Sequence, residues 1–261
     1  MKSAWSDEAA AAAVADLTRR FPGCNTDLAL RVYTSRLIGG EARLVLHGGG
    51  NTSVKTILED DLGEPCEVLC VKGSGWDLGA IEPPGLPAVR LGPLRALRRL
   101  ASLSDEAMVN AARTRLLDAS APNPSVEVLL HAFLPHKFID HSHADAILAL
   151  VDQPEAAAIA RELYGERLAI VPYVMPGFEL ARLAAEVAEA HPLCEGLLLL
   201  QHGLFTFGAS ARESYDRHVA AVSLAEARIA EARRRASTIF VASAELQRPP
   251  ALGERWPAIA P

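Results

Sequence analysis

Three histidines at the ends of two apolar segments place the strongest constraint on how this chain can fold. His141 and His143 are two residues apart after Phe138-Ile139, and His202 follows the unbroken apolar run 197–200. Because side chains at positions i and i+2 project from the same face of a strand, both imidazoles of the first pair can reach one metal ion. A third histidine from another strand end would leave one position of a tetrahedral metal open for substrate. The spacing therefore predicts a metal site.

The chemistry of this predicted site depends on the three histidines and on one carboxylate upstream. Three imidazoles with a carboxylate favour Zn²⁺, and Mn²⁺, Co²⁺ or Fe²⁺ remain alternatives. Glu127 could ligate the ion, or take a proton from a carbon that the ion has made acidic. Both interpretations compete with simpler ones, namely a histidine pair satisfied by backbone groups and a solvated helix glutamate. Asp140 and Asp145 are candidate partners of the imidazole N–H groups, or else surface or capping residues.

A helix is predicted to begin at Asn123 and Pro124, a capping side chain followed by proline at the first helical position. Ser125 would then lie at the helix N-terminus and Glu127 one turn in, where the helix dipole stabilises anions. His131 lies four residues after Glu127, on the same helix face, and we interpret it as structural support.

Two glycine-rich turns each follow a predicted strand, at 48–52 and 73–75. Their backbone N–H groups and hydroxyls could form anion-binding nests for phosphate, although many such turns are only turns. Neither has the Gly-Lys-Ser/Thr ending of a P-loop. Lys55 and Lys72 flank these turns and could add positive charge.

The composition excludes several classes of partner. The 261 residues are 50% hydrophobic and carry a net charge of −6, which does not favour nucleic acid. The basic cluster 233–235 is interpreted as a solvated helix end. Four cysteines without a CxxC pair fit a reducing compartment, and no apolar stretch approaches the ~20 residues that a membrane span requires. Acidic residues interrupt the N-terminal alanine run, so no signal peptide is expected. The sequence predicts a soluble cytoplasmic protein.

The order of predicted elements indicates an α/β fold. Strands alternate with helices, but several strands are joined as hairpins, which favours a mixed, largely antiparallel central sheet with helices on both faces. We expect one domain over residues 1–246 and a proline-rich tail over 247–261. The strands are predicted at 44–46, 52–58, 66–72, from 141 onward, at 168–173, 196–201 and 204–207.

Five motifs in order resemble the class II aldolase/adducin family, and most closely the aldolase part of the bifunctional rhamnulose-phosphate aldolase/alcohol dehydrogenases. They are residues 47–55, 71–77, 124–127, 141–143 and 201–203, and the resemblance covers roughly 25–235. It implies a three-layer fold and a role for each matched position. His141, His143 and His202 match the zinc ligands, Glu127 the catalytic acid/base, and Asn51 a substrate contact. The positions that match the phosphate-binding loops are Gly50, Ser74, Gly75 and Ser125.

Some features depart from that family pattern. Val126 occupies the position where fuculose-type aldolases offer phosphate a second serine, and the segment between Glu127 and His141 is shorter. The C-terminal tyrosine that family aldolases borrow from a neighbouring subunit cannot be assigned. Because the chain ends at Pro261, we expect a stand-alone relative of the fused enzymes.

The resemblance implies a zinc-dependent aldolase. Such an enzyme cleaves a phosphoketose of the rhamnulose- or fuculose-phosphate type to dihydroxyacetone phosphate and an aldehyde, through a metal-stabilised enediolate. Epimerisation, decarboxylation or dehydration at the same site are alternatives, as is a non-catalytic adducin-like interaction protein. The expected partner is a small-molecule sugar phosphate. A homo-oligomer, and specifically a tetramer, is also expected.

Overall fold

A seven-stranded sheet forms the centre of the protein, in the strand order β3-β2-β1-β4-β7-β6-β5. The computed structural model describes residues 1–240. Every neighbouring pair of strands is antiparallel except β5 and β6, which run parallel. The predicted mixed, largely antiparallel α/β fold is thereby confirmed. The strands are β1 (Asn51–Glu59), β2 (Pro65–Val71), β3 (Ala88–Arg90), β4 (Phe138–Ser142), β5 (Leu168–Val171), β6 (Gly196–Leu199) and β7 (Gly203–Gly208).

Helices cover both faces of this sheet. One face packs its alternate side chains, such as Ile139 and Phe205, into a core shared with α3, α4, α5 and α8. The opposite face carries Asp140 and Ser142, which contact α2 and the first part of α9. The α-helices are α1 (Asp7–Arg20), α2 (Thr26–Gly39), α3 (Leu91–Ala96), α4 (Asp105–Arg113), α5 (Val128–Phe133), α6 (Asp145–Val151), α7 (Ala156–Tyr164), α8 (Phe178–Ala190) and α9 (Ala211–Phe240).

The predicted helix start at Asn123 and Pro124 is wrong. Pro124 forms an antiparallel bridge with Gly73, and the helix α5 begins only at Val128, so that Glu127 occupies the N-cap position. Long-range contacts explain the difference. The Asn123 side chain accepts a hydrogen bond from Arg113, and the backbone N–H of Ser125 donates to the carbonyl of Lys72. These bonds extend the segment instead of coiling it.

The strand predicted at 44–46 is also absent. The backbone N–H groups of Leu44 and Val45 both donate to the carbonyl of Glu41, which closes a turn. Apolar residues in a run this short do not distinguish a strand from a buried turn. Leu44 and Val45 are buried all the same.

The chain divides into two compact units, Met1–Glu226 and Ala227–Pro261. The first contains the whole sheet and every residue of the candidate site. The tail predicted over 247–261 lies outside the described residues, and the single domain over 1–246 stays a prediction. Within residues 1–240, no helix combines the length and the apolar character needed to cross a bilayer.

Candidate active site

The ends of β4 and β7 bring the three histidines together. His141 is opposite Phe205 in the ladder between these strands, and His202 immediately precedes β7. One ring nitrogen of each of His141, His143 and His202 lies within 4.8 Å of the others, and the Nε2 atoms of His141 and His143 are 2.9 Å apart. The three histidines that the sequence singled out therefore lie close enough together to bind one ion.

A glycine permits this close approach. Gly203 has φ +157°, and a Cβ there would lie 2.6 Å from the carbonyl oxygen of Ser142 and 3.0 Å from the ring of His143. A larger residue would therefore push β7 away from β4. Gln201, in the turn before it, adopts φ +56°, which turns the chain so that His202 faces the other two histidines.

The His141 ring is held in the form that binds a cation. Its Nδ1 lies 3.0 Å from the carbonyl oxygen of Leu204, an acceptor only, so Nδ1 carries the proton and Nε2 presents its lone pair to the cluster. The ring also stacks on Phe205 with centroids 4.0 Å apart. Burial lowers the pKa of His141 to about 3, and it lowers the pKa of His143 as well, so both rings are neutral near pH 7.

Asp140 and Asp145 do not serve these imidazoles. Asp140 projects from the opposite face of β4, where it forms a fully buried ion pair with Arg31 at 2.5 Å and accepts a hydrogen bond from Ser214. Asp145 is exposed in the first turn of α6. The backbone carbonyl of Leu204 takes the role that the sequence suggested for an aspartate.

Glu127 completes the cluster from a different element. Its Oε2 lies 3.3 Å from Nε2 of His141, and its Oε1 lies 3.1 Å from Nε2 of His202. Burial by itself would raise the pKa of Glu127, but His141, His202 and a hydrogen bond from Asn51 hold the pKa below its ordinary value. The group is therefore a carboxylate.

The cluster fits a divalent cation. Oε1 of Glu127 is buried, and although Nε2 of His202 is 3.1 Å away, no described residue donates to it in good hydrogen-bond geometry. A poorly paired anionic oxygen is costly in a protein interior. The surrounding donor set consists of the imidazole nitrogens of three histidines and this carboxylate. Zinc prefers such a set, and a metal ion there would neutralise the poorly paired oxygen.

A chain of hydrogen bonds orients the amide of Asn51. Nε2 of His131 lies 2.5 Å from Oδ1 of Asn51, and Nδ1 of His131 lies 2.7 Å from the hydroxyl of Ser53. The amide oxygen only accepts, so His131 donates from Nε2 and accepts from Ser53 at Nδ1. Nδ2 of Asn51 then donates to Oε2 of Glu127 and to Oγ of Ser125. His131 thus supports the site through Asn51.

The two glycine-rich turns lie beside this network. Nζ of Lys72 donates to the carbonyl of Gly48 at 2.7 Å, which ties the first turn to the end of β2. Gly50 adopts φ +60°, and a Cβ there would lie 2.8 Å from the carbonyl oxygen of His141. In the second turn Ser74 donates its backbone N–H to the carbonyl of Asn123, while Gly75 has φ +84° and is exposed.

Lys55 does not flank the turns as the sequence suggested. Its ammonium group is buried and donates to the backbone carbonyls of His131 and His136. Burial lowers the pKa of Lys55 well below its ordinary value, and Arg95 lowers it further.

A cavity of about 130 Å³ opens beside the second turn, with Ser74 and Ser125 in its lining. Arg113, from the last turn of α4, lines it as well, although it was not among the predicted site residues. An arginine in the last turn of a helix is common because it complements the helix dipole, so no local pattern marked it.

Comparisons with known proteins agree with the fold and with the motifs. Residues 29–229 match the model of the Class II Aldolase and Adducin N-terminal domain. A Bacillus subtilis (strain 168) protein described as the uncharacterized oxidoreductase YuxG is 40% identical over 195 residues. That match covers 75% of this chain and 28% of the relative. The chain therefore spans only a part of the length of this relative.

Solved structures show the same relationship. The N-terminal class II aldolase domain of a conserved protein from Thermoplasma acidophilum is 40% identical, with a TM-score of 0.76, over 88% of this chain and 99% of that one. A sugar-phosphate aldolase from Thermotoga maritima shares the fold at 18% identity and a TM-score of 0.54, over 74% of this chain and 92% of that one. The chain belongs to the class II aldolase and adducin family.

Proposed function

We propose that this protein is a zinc-dependent aldolase. It would cleave a phosphoketose of the rhamnulose- or fuculose-phosphate type to dihydroxyacetone phosphate and an aldehyde. Membership of the class II aldolase family suggests an enzyme of the aldolase or epimerase type. The observation that carries the finer proposal is the position of Glu127, a buried carboxylate with one oxygen 3.3 Å from Nε2 of His141 and the other 3.1 Å from Nε2 of His202.

The three histidines would hold the metal ion. When bound, it supplies a positive charge that stabilises negative charge developing on the substrate oxygens during carbon–carbon cleavage. Mn²⁺, Co²⁺ or Fe²⁺ could occupy the same ligand set. His141 contributes a lone pair whose direction its bond to Leu204 determines, so the ligand needs little reorganisation when the ion binds.

Glu127 would carry the proton. A general acid/base must be within hydrogen-bond reach of the reacting carbon or oxygen, and Glu127 lies beside the ligand nitrogens where a chelated substrate would sit. Asn51 holds Oε2 of Glu127 in place and could also contact the substrate. Because this amide is itself oriented by His131, the carboxylate is positioned before substrate arrives.

The loops that contain Gly50, Ser74, Gly75 and Ser125 would bind the phosphate. These loops lie near the bridge between Gly73 and Pro124, beside the first residue of β1. A phosphate bound there would hold the reacting carbons in line with Glu127, so remote binding energy would serve catalysis. The sugar-phosphate aldolase from Thermotoga maritima, which shares this fold, is consistent with such a substrate.

Elemental analysis of the purified protein tests the proposal first. We expect about one zinc per chain, lost in His202→Ala and retained in His191→Ala, a change at an exposed histidine. Metal-loaded protein should then release dihydroxyacetone phosphate from a panel of phosphoketoses. Product analysis would distinguish cleavage from epimerisation, decarboxylation or dehydration.

Other results would contradict the proposal. A protein without metal after reconstitution, and without turnover of any phosphoketose, would favour an adducin-like interaction protein. We also propose a homo-oligomer, specifically a tetramer, which sedimentation of the full chain would test.

A further inference from the structure

Polar and apolar residues both line the cavity beside Ser125. Its volume of about 130 Å³ is far above the ~15 Å³ that one water molecule needs, so it can accept a group of several atoms. The polar lining residues are Ser74, Arg113, Asn123 and Ser125. The apolar lining comes from Met108, Val109, Ala112, Pro124, Val126 and Val128.

Hydrogen bonds connect this cavity to the candidate catalytic carboxylate. Oγ of Ser125 accepts from Nδ2 of Asn51 at 3.1 Å, and the same nitrogen donates to Glu127. Oγ of Ser125 also accepts from the backbone N–H of Glu127. A ligand whose reacting end lies at Glu127 could therefore place its far end in the cavity.

Arg113 and Ser74 are both hydrogen-bonded to Asn123. Nη1 of Arg113 donates to Oδ1 of Asn123 at 2.7 Å, and the backbone carbonyl of Asn123 accepts the N–H of Ser74. Among the described residues, no ion pair to a carboxylate is found for Arg113. The other N–H groups of Arg113 thus leave a positive charge and a planar set of donors at the cavity.

Val126 leaves the cavity with fewer hydroxyl donors for an anion. This side chain is 61% exposed at the cavity and carries no hydroxyl, and Val109 beside it is exposed as well. A phosphate monoester carries about two negative charges and several acceptor oxygens, which two serine hydroxyls cannot neutralise. Arginine provides the bidentate, charge-assisted hydrogen bonds that phosphate recognition favours.

We propose that Arg113 binds the phosphate of the substrate and sets the preference for phosphorylated over neutral ketoses. The inference rests on the proposed function, because it concerns the far end of the substrate of that same site. Arg113 would supply the charge, and Ser74 and Ser125 the neutral hydrogen bonds.

Binding of inorganic phosphate to the metal-loaded full chain tests this without requiring turnover. By isothermal titration calorimetry we expect the dissociation constant to rise at least tenfold in Arg113→Gln. Arg113→Lys should recover part of the loss, since it keeps the charge but not the planar donors. Arg161→Gln, at an exposed arginine of α7, is the matched control and should bind phosphate as the wild type does.

A second measurement uses Val126→Ser, which restores a hydroxyl at the cavity without touching Arg113. We expect phosphate to bind more tightly in this variant, and the effect of Arg113→Gln to be smaller in its background. With a turned-over phosphoketose, Arg113→Gln should raise KM at least tenfold and change kcat much less, because Arg113 would bind the far end of the substrate and not its reacting carbons.

The outcomes separate this inference from the proposed function. Phosphate binding that depends on Arg113, in a protein that cleaves no phosphoketose, would support the inference and contradict the aldolase proposal. Cleavage with an unchanged KM in Arg113→Gln would overturn the inference alone. A wild-type protein that binds no inorganic phosphate, or an Arg113→Gln variant that binds it equally well, would also overturn it.

Discussion

Asn51 donates a hydrogen bond of 2.5 Å to Oε2 of Glu127, although the two residues are 76 positions apart in the sequence. Asn51 is the first residue of β1 and is directly opposite His141 in the β1–β4 ladder. It thereby holds Glu127, the residue that caps α5. This bond couples Asn51, which we propose as a substrate contact, to the candidate acid/base. Asn51 can donate to Glu127 only when its amide nitrogen faces the carboxylate. The hydrogen bond from His131 to Oδ1 of Asn51 fixes that orientation.

Replacing His131 should therefore impair turnover without removing the metal ion. His131→Leu leaves Oδ1 of Asn51 and the hydroxyl of Ser53 without their partners, and we expect a stability loss of about 1–3 kcal/mol. Turnover should fall ~10-fold or more while zinc content stays near one per chain. His136→Leu, at a ring stacked on Phe207 instead, is the control and should keep wild-type turnover per folded molecule. Equal loss in both variants would point to a packing effect alone.

The Glu127→Gln substitution distinguishes a proton carrier from an essential metal ligand. The amide is nearly isosteric but cannot take a proton, so we expect turnover to fall ~100-fold or more. The three histidines should still retain zinc, as elemental analysis would show. Glu59→Gln, at an exposed glutamate at the end of β1, should behave like the wild type. Metal loss in Glu127→Gln would instead make this carboxylate a required ligand.

Gly203→Ala should weaken both the fold and the metal site. The new methyl group would lie 2.6 Å from the carbonyl oxygen of Ser142, at a backbone angle of φ +157° that other residues rarely adopt. We expect a loss of about 2 kcal/mol or more in the free energy of unfolding, together with lower zinc occupancy. Gly92→Ala is the matched control, since no atom lies within 4 Å of its added methyl group, and it should change stability by less than ~1 kcal/mol. Similar results for the two variants would show that β7 adjusts freely.

Acid should destabilise the metal-free protein partly through His218. Burial, together with the charge of Arg31, lowers the pKa of His218 to about 3, and its ring bonds to Ser142 and Thr206. The unfolded chain, with a histidine pKa near 6.5, binds the proton first. Stability is then fully present above pH ~6.5 and declines by up to ~1.4 kcal/mol per pH unit toward pH 3. Urea unfolding in EDTA at pH 7 and pH 5 would show this decline, which should be smaller in His218→Gln. An unchanged pH slope in that variant would contradict the assignment.

Local patterns were sufficient for much of the fold. Alternation and hairpin turns predicted a mixed, largely antiparallel sheet, and β1, β2, β6 and β7 form within a few residues of their predicted positions. The i, i+2 spacing of His141 and His143 predicted that the two rings could approach one ion, and they do lie together, although β4 ends at Ser142 and His143 is the next residue.

Contacts between distant segments decided the rest. The segment 123–127 has the local signature of a helix start, yet its bridge to Gly73 and its bonds to Lys72 and Arg113 hold it extended and leave Glu127 at the cap. Asp140 sits next to a candidate ligand in sequence, but the alternation of β4 directs it to Arg31 on the other face. A sequence records which side chains are available and how they repeat. Which of them become partners depends on hydrogen bonds and ion pairs between elements far apart along the chain, and these form only when the sheet and its helices are assembled.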